Sequence, residues 1–295
     1  MRRVTFDGHW LPYMLLFPQL LILVWFFFWP AGQALYQAFT LSSPFGGYAE
    51  WVGFENFVDM VTQPEYHKAI RVTVIFSLAT TALSLGLGLV FALFADRVLR
   101  ATDFYRTLLI WPYAVAPAIA GALWTFTLDP HSGVLAFALK QLFDWGWNPE
   151  LSSFDAMVLV VFAAAWKQVA YNFIFFLAGL QAIPRAVIES AAMDGAGPLR
   201  RVRDIILPLL SPTTFFLIVL NVVYAFFDTF GIIHVTTGGG PGDGTTILVY
   251  KIFQDGFIGL DLSASAAQSI ILMIVVMSLT IFQFRFLERR VHYAD

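Results

Sequence analysis

Apolar residues gather in six blocks along the chain, at roughly 11–36, 70–95, 107–128, 156–180, 209–233 and 265–287, with polar or turn-rich stretches between them. A helix needs about 20 predominantly apolar residues to cross the hydrocarbon of a bilayer, so each block is long enough for one span. The pattern predicts a single all-α membrane domain over residues 1–295 with six transmembrane helices. Lys and Arg set its orientation, because basic residues stay on the cytoplasmic side while acids contribute little. Threading the six spans puts Arg2, Arg3, Arg97, Arg100, Arg106, Arg185, Arg200, Arg201, Arg203, Arg285, Arg289 and Arg290 on one side, against Lys68, Lys140 and Lys251 on the other. Both termini are therefore expected in the cytoplasm.

The first block runs without a charge from Leu11 to Phe39, which is too long for a cleaved leader and reads as an uncleaved signal anchor. The expected outer loops are polar and turn-rich, as in LDPHSG, DWGWNPE and TTGGGPGDGTT. In EWVGFENFVDMV, Trp51, Phe54, Phe57 and Val58 recur at near-helical spacing. That spacing fits a short helix in the headgroup region; a loop packed on its own protein fits equally.

Composition agrees with a bilayer. Hydrophobic residues make up 59% and charged residues 13%, against about 25% charged in soluble domains. The absence of Cys excludes disulfides and thiol chemistry. A net charge of -3 without a basic block argues against nucleic acid as a partner. His9, His67, His131, His234 and His292 are scattered, without metal-ligand spacing.

One interspan stretch is unusually organised: ESAAMDGAGPLRRVRDIILPLL, residues 189–210, within a loop over 185–208. Ile188 to Met193 has helix-forming composition, Asp194 to Pro198 stops that helix, and Leu199 to Ile206 reads as a second one. Gly allows the left-handed stop and Pro suits a first helical turn. Pro208 is expected to open the fifth span. The outcome is a cytoplasmic helix-turn-helix knob whose small residues Ser190, Ala191 and Ala192 another protein can approach closely. From these residues alone, a basic loop that merely anchors topology is the alternative.

The spacing Glu189-x-Ala191-x-x-x-Gly195, nine residues, then Ile205-x-Leu207-Pro208 resembles the EAA motif of ABC importer permeases, with Ser190 where the motif usually has Ala. The resemblance implies that this loop is the coupling helix, which seats in a cleft of an ATP-hydrolysing subunit. WVGFENF, AWKQVAYNFIFFLAGLQAIP and FDTFGIIHVTTGGGP are similar to the sugar-type branch of that family, and LPYMLLFPQL, LIWPYAVAPAIAGALW and VYAFFDTF to its glycerol-phosphate importers. Implied with it are a bacterial inner-membrane location, a second permease subunit, two ATPase subunits and an extracytoplasmic solute-binding protein. The implied cargo is sn-glycerol-3-phosphate or a related glycerophosphodiester, with a neutral sugar as the alternative. No cofactor is expected on this chain, and ATP and Mg belong on the partner ATPases.

Rival chemistries fare worse. The Gly239–Thr245 stretch has Thr245 where a Walker A loop needs Lys, so the chain lacks an ATP site of that kind. Gly240-Pro241-Gly242-Asp243 matches the G-x-G-D of intramembrane proteases, but those need two close carboxylates, and Asp228 is the only other acid near that span. Pro18, Pro30, Pro112, Pro117, Gly121 and Gly179 interrupt spans as in secondary transporters. Ion coupling in such transporters uses intramembrane acids, and again only Asp228 qualifies.

Ionisable and polar residues inside spans are costly and therefore functional candidates. In WKQVAYNF, Lys167 is followed by Gln168, Tyr171 and Asn172, which share a helix face. Asn221, Tyr224 and Asp228 form a matching stripe on the fifth span. These seven are the candidate substrate-path residues. Lys167 either attracts a phosphate, pairs with Asp228 or snorkels to the interface, and the Asp228 stripe either lines the path or pairs helices.

Overall fold

The computed structural model describes residues 10–42, 49–97 and 107–287. The chain divides into two compact units, Met1–Gln63 with Ile252–Ile271 and Pro64–Lys251 with Leu272–Asp295.

In the first unit α1 spans Leu11–Ala38, with a π-helical turn at Val24–Phe28. Its most apolar window buries nothing against the rest of the chain. Such a surface suits lipid, where apolar side chains need no cover. Two short antiparallel strands follow, β1 Thr40–Ser42 and β2 Ala49–Trp51, pairing Thr40 with Trp51 and Ser42 with Ala49. The expectation of an all-helical chain is corrected here. A Pro- and Gly-bearing connection, SPFGGY, lies between them, and a hairpin pairs backbone groups that a helix stop leaves open. Asn56 donates to Ala38 O at 2.9 Å and Thr40 O at 3.1 Å, closing the corner. Asn56 belongs to α2, Glu55–Thr62, the short helix anticipated from its aromatics. Those aromatics also close on Phe39: Trp51 stacks on it at 5.6 Å, and Phe54 and Phe57 lie at 5.4 and 5.2 Å.

The second unit is built on α3, Pro64–Arg97. Next come α4 Thr107–Ala114 and α5 Pro117–Thr127, bent by 110° about the residues between them. The span expected at 107–128, with Pro112, Pro117 and Gly121 interrupting it, is bent here. Pro117 lacks a donor and drives Ala116 to extended backbone (ψ 143°). A ten-residue helix, α6 Val134–Phe143, precedes α7, Ser153–Ala182. Ser152 caps α7, its hydroxyl accepting from Asp155 N at 3.3 Å.

After α7 come α8 Arg185–Met193, α9 Pro198–Leu209 and α10 Ser211–Phe227, with a 70° bend between the last two. Over the stretch expected as the fifth span, 209–233 opened by Pro208, the helix breaks before Ser211 and again after Phe227. Pro208 lies within α9, and Pro212 stands in the first turn of α10. At the far end α10 stops before Asp228, and a separate α11 covers Phe230–Thr236. The described residues end with α12, Leu248–Phe253, continuing as a π-helix over Gln254–Ile258, then α13, Leu262–Phe282, continuing as a π-helix over Gln283–Leu287. Among the described residues, four helices are long and apolar enough to cross a membrane, and up to six spans result if each bent pair counts as one.

The core of this unit lies where α3, α7 and α10 meet. Phe76, Phe173, Phe176 and Leu217 are its large, fully enclosed side chains. A stripe of small polar residues on α3, Thr73, Ser77, Thr80 and Ser84, is buried too. Small side chains let membrane helices approach closely, and at Gly88 an added Cβ would come within 2.7 Å of Asn172 Cβ.

Candidate functional site

The loop between α7 and α10 is an exposed pair of short helices. Ala196 N donates to Ala191 O at 2.9 Å and Gly195 N to Ala192 O at 3.1 Å, the paired bonds of a Schellman stop. Gly195 carries the left-handed backbone this stop needs, φ +80°. Pro198 then starts α9 in its first turn. Glu189, Ser190 and Gly195 are exposed and Ala191 is half-buried. Two apolar side chains project at the tip, Met193 at 88% and Leu199 at 82% exposure. Arg200 pairs with Asp204 at 3.4 Å on the solvent face of α9. Of the motif's second half, Ile205 is half-buried while Leu207 and Pro208 are exposed.

The knob is rooted in a column of buried apolar side chains. Ile183, Ile206 and Leu210 join Leu180, Leu177, Phe176, Phe173 and Leu217 in one cluster, with Ile188 and Val202 packed against it. Gly179 brings α7 against the bend: a Cβ there would stand 2.8 Å from Leu210 Cδ2 and 3.0 Å from Thr213 Oγ1. The sequence motif contains none of Gly179, Ile206 and Leu210.

Farther along α7 and α10 a pocket of about 360 Å³ opens, lined by Tyr113, Pro117, Lys167, Gln168, Tyr171, Leu220, Val223, Tyr224 and Asp228. It gathers five of the seven candidate path residues. Helical spacing explains this, since Lys167, Gln168 and Tyr171 on α7 face Tyr224 and the end of α10. Lys167 Nζ donates to Tyr113 O at 3.5 Å and lies over the Tyr113 ring, 5.1 Å from its centroid. It makes no ion pair with Asp228, although both border the pocket. A lysine and an aspartate thus border one pocket without direct ion-pair contact. Tyr113, from the broken α4–α5 element, was absent from the sequence candidates; its place in LIWPYAVAP, beside the proline break, is the signal that marks it.

Asn172 and Asn221 lie elsewhere. Both are buried, and they bond reciprocally: Asn221 Nδ2 donates to Asn172 Oδ1 at 2.7 Å, and Asn172 Nδ2 to Asn221 Oδ1 at 3.1 Å. Asn221 also donates to Leu217 O at 2.7 Å, and its Oδ1 accepts from Ser84 Oγ at 2.9 Å. Tyr224 presents its ring to the pocket but donates its hydroxyl to Ala164 O at 3.2 Å.

At the other end of α7 the Gly-rich loop folds on itself. Thr245 and Thr246 hydroxyls donate to Gly240 O and Gly239 O at 3.0 and 3.1 Å, Ser153 Oγ donates to Pro241 O at 3.0 Å, and Lys68 Nζ donates to Gly242 O. The loop follows α11, which separates it from α10. It borders a cavity of about 340 Å³ with Asp129 and Glu150 at its rim. Bonds from Ser132, first its backbone N–H, and from His131 N hold the Asp129 carboxyl below the usual carboxylate range. No group of three His, Asp or Glu positioned for a metal occurs among the described residues. Arg2, Arg3, Arg100, Arg106, Arg289 and Arg290 of the charge argument lie outside the described residues, as do His9 and His292.

Residues 1–293 match the family described as binding-protein-dependent transport system inner membrane component. Over 293 residues the chain is 56% identical to the sn-glycerol-3-phosphate transport system permease protein UgpA of Rhizobium meliloti (strain 1021), covering 99% of this chain and 100% of that protein. The protein of the same name from Yersinia pseudotuberculosis serotype I (strain IP32953) is 52% identical over 291 residues, 99% of each. Among solved structures, a bacterial ABC transporter involved in the import of the acidic polysaccharide alginate has a chain with a TM-score of 0.80 and 22% identity, covering 95% of this chain and 96% of that one. At that identity the likeness shows the fold alone.

Proposed function

The chain belongs to the family of binding-protein-dependent transport system inner membrane components, and on that premise we propose that α8 and α9 dock on an ATPase subunit while the pocket between α7 and α10 lines the solute's path. It is the permease subunit of an ABC importer for sn-glycerol-3-phosphate, supported by identity of 52–56% along its length to permeases of that name. That likeness is the observation that carries the reading. In the proposed assembly a second permease subunit completes the pathway, two ATPase subunits bind ATP and Mg, and an extracytoplasmic binding protein delivers the solute. This chain contributes no hydrolytic chemistry.

The residues suggest how the parts divide. Met193 and Leu199 give the knob an apolar tip and Gly195 a rigid turn, which suits seating in a cleft on the cytoplasmic side. The column from Ile206 to Leu217 then ties the knob to α7 and α10, so movement of the ATPase reaches the spans. In the pocket, the cargo's phosphate needs a cation or donors, because an uncompensated ion in a low-dielectric path costs several kcal/mol. Lys167 supplies the cation, and Asp228 and Gln168 accept from or donate to the glycerol hydroxyls.

Reconstituting the permease with its partner subunits and binding protein tests the assignment. sn-Glycerol-3-phosphate should stimulate ATP hydrolysis by the complex, and neutral sugars should not. Stimulation by a neutral sugar with none by glycerol phosphate would transfer this permease to sugar import.

A further inference from the structure

The Asn172–Asn221 pair adjoins the pocket without lining it. Asn172 follows Tyr171 and lies one turn beyond Gln168; Asn221 follows Leu220 and lies one turn before Tyr224. Both amides are enclosed, at 0% and 1% exposure, so their bonds exchange with no solvent. A reciprocal amide pair needs one register: sliding α10 along α7 by a turn breaks both bonds and leaves both polar ends of the Asn172 amide unpaired in the interior, while Asn221 Nδ2 keeps Leu217 O. Apolar packing alone lacks this selectivity, since Leu and Phe tolerate several registers. On the pocket's other side Tyr224 Oη reaches Ala164 O at 3.2 Å, tying the same two helices again. Ser84 Oγ, at 2.9 Å from Asn221 Oδ1, extends the tie to α3, and Gly88 lets α3 approach Asn172.

We infer that Asn172 and Asn221 are positioning residues that lock α7 to α10, so that the two walls of the pocket, Lys167 with Tyr171 and Tyr224 with Asp228, travel as one body during transport. The inference rests on the pocket being the solute path. The pair touches no solute. It keeps the ammonium and the carboxylate at a fixed offset while the knob moves the helices.

The test compares Asn172→Leu/Asn221→Leu, Asn221→Leu and Lys167→Met in the intact complex, reconstituted in proteoliposomes at matched permease content. The double variant replaces both partners with apolar groups, a change that can be nearly neutral for stability, and Ser84 retains Thr81 O as an acceptor at 3.3 Å. Asn221→Leu alone strands Asn172 and should lower abundance further. The readout is solute imported per ATP hydrolysed, which a merely structural role leaves unchanged. In the double variant it should fall by about fivefold or more, in the range of coupling energies between contacting groups. A wild-type yield, or import and hydrolysis declining in proportion, would overturn the positioning role. Lys167→Met separates the two levels. Normal import by that variant removes the pocket reading, and this inference with it. Impaired import by Lys167→Met beside a wild-type yield from the double variant removes the positioning role alone.

Discussion

Lys167 lies half-buried at the pocket wall with its ammonium over the Tyr113 ring, a contact that holds a cation without neutralising it. Replacing it with Met should cut sn-glycerol-3-phosphate import by about tenfold, while Lys167→Arg keeps the charge on a different head group and should retain more. Uptake at matched membrane abundance checks this, and equal transport by wild type and Lys167→Met would leave recognition to the other subunits. Gly195 matters through its backbone. At φ +80° a β-branched residue is strained by about 1–3 kcal/mol, so Gly195→Val should insert normally yet lose substrate-stimulated hydrolysis. Normal uptake by that variant would remove the docking role of the turn.

Between elements, Gly88 sets how closely two helices meet. A Cβ at Gly88 would stand 2.7 Å from Asn172 Cβ and 3.2 Å from that residue's carbonyl carbon, so α3 would have to shift away from α7. Gly88→Ala should cost about 1–3 kcal/mol, as overpacked interiors do, seen as a lower melting temperature of the detergent-solubilised complex. An unchanged melting temperature would mean that the helices part easily there. The breaks are equally specific. The 110° bend between α4 and α5 brings Tyr113 to the pocket, and the 70° bend before α10 seats Leu210 in the buried column. Proline causes the first through the residue before it.

For the whole chain, orientation is the property still to be measured. The arginine bias predicts a cytoplasmic knob and outer loops around Lys140 and Gly242. With no native Cys to compete, single-cysteine variants give a clean readout. Lys140→Cys should react with an impermeant maleimide added outside, and Ser190→Cys only after permeabilisation. Both positions are exposed on the protein surface. Labelling of Ser190→Cys from outside would invert the topology and end its part in ATPase docking.

Hydrophobic block length and the residues from Glu189 to Pro208 were enough, by themselves, to specify several membrane-length helices and a helix-turn-helix knob; the permease reading came from the motif's resemblance to a known family. Such signals are local, because a span must bury its own backbone bonds in lipid and a Schellman turn needs Gly within a few residues. Lys167, Gln168, Tyr171, Tyr224 and Asp228 could also be grouped by helical periodicity. Three-dimensional packing decided the rest. Asn172 and Asn221 carry the same periodicity as the pocket residues, yet they bond to each other, because side-chain pairing across 49 positions of sequence depends on helix register. Tyr113 joined the pocket only through a bend, and the Ile206–Leu210 column formed only where α7, α9 and α10 close on one another. The strands at Thr40–Ser42 and Ala49–Trp51 escaped the apolar pattern for the same reason: three residues are too few for a periodicity, and their partner is supplied by the fold.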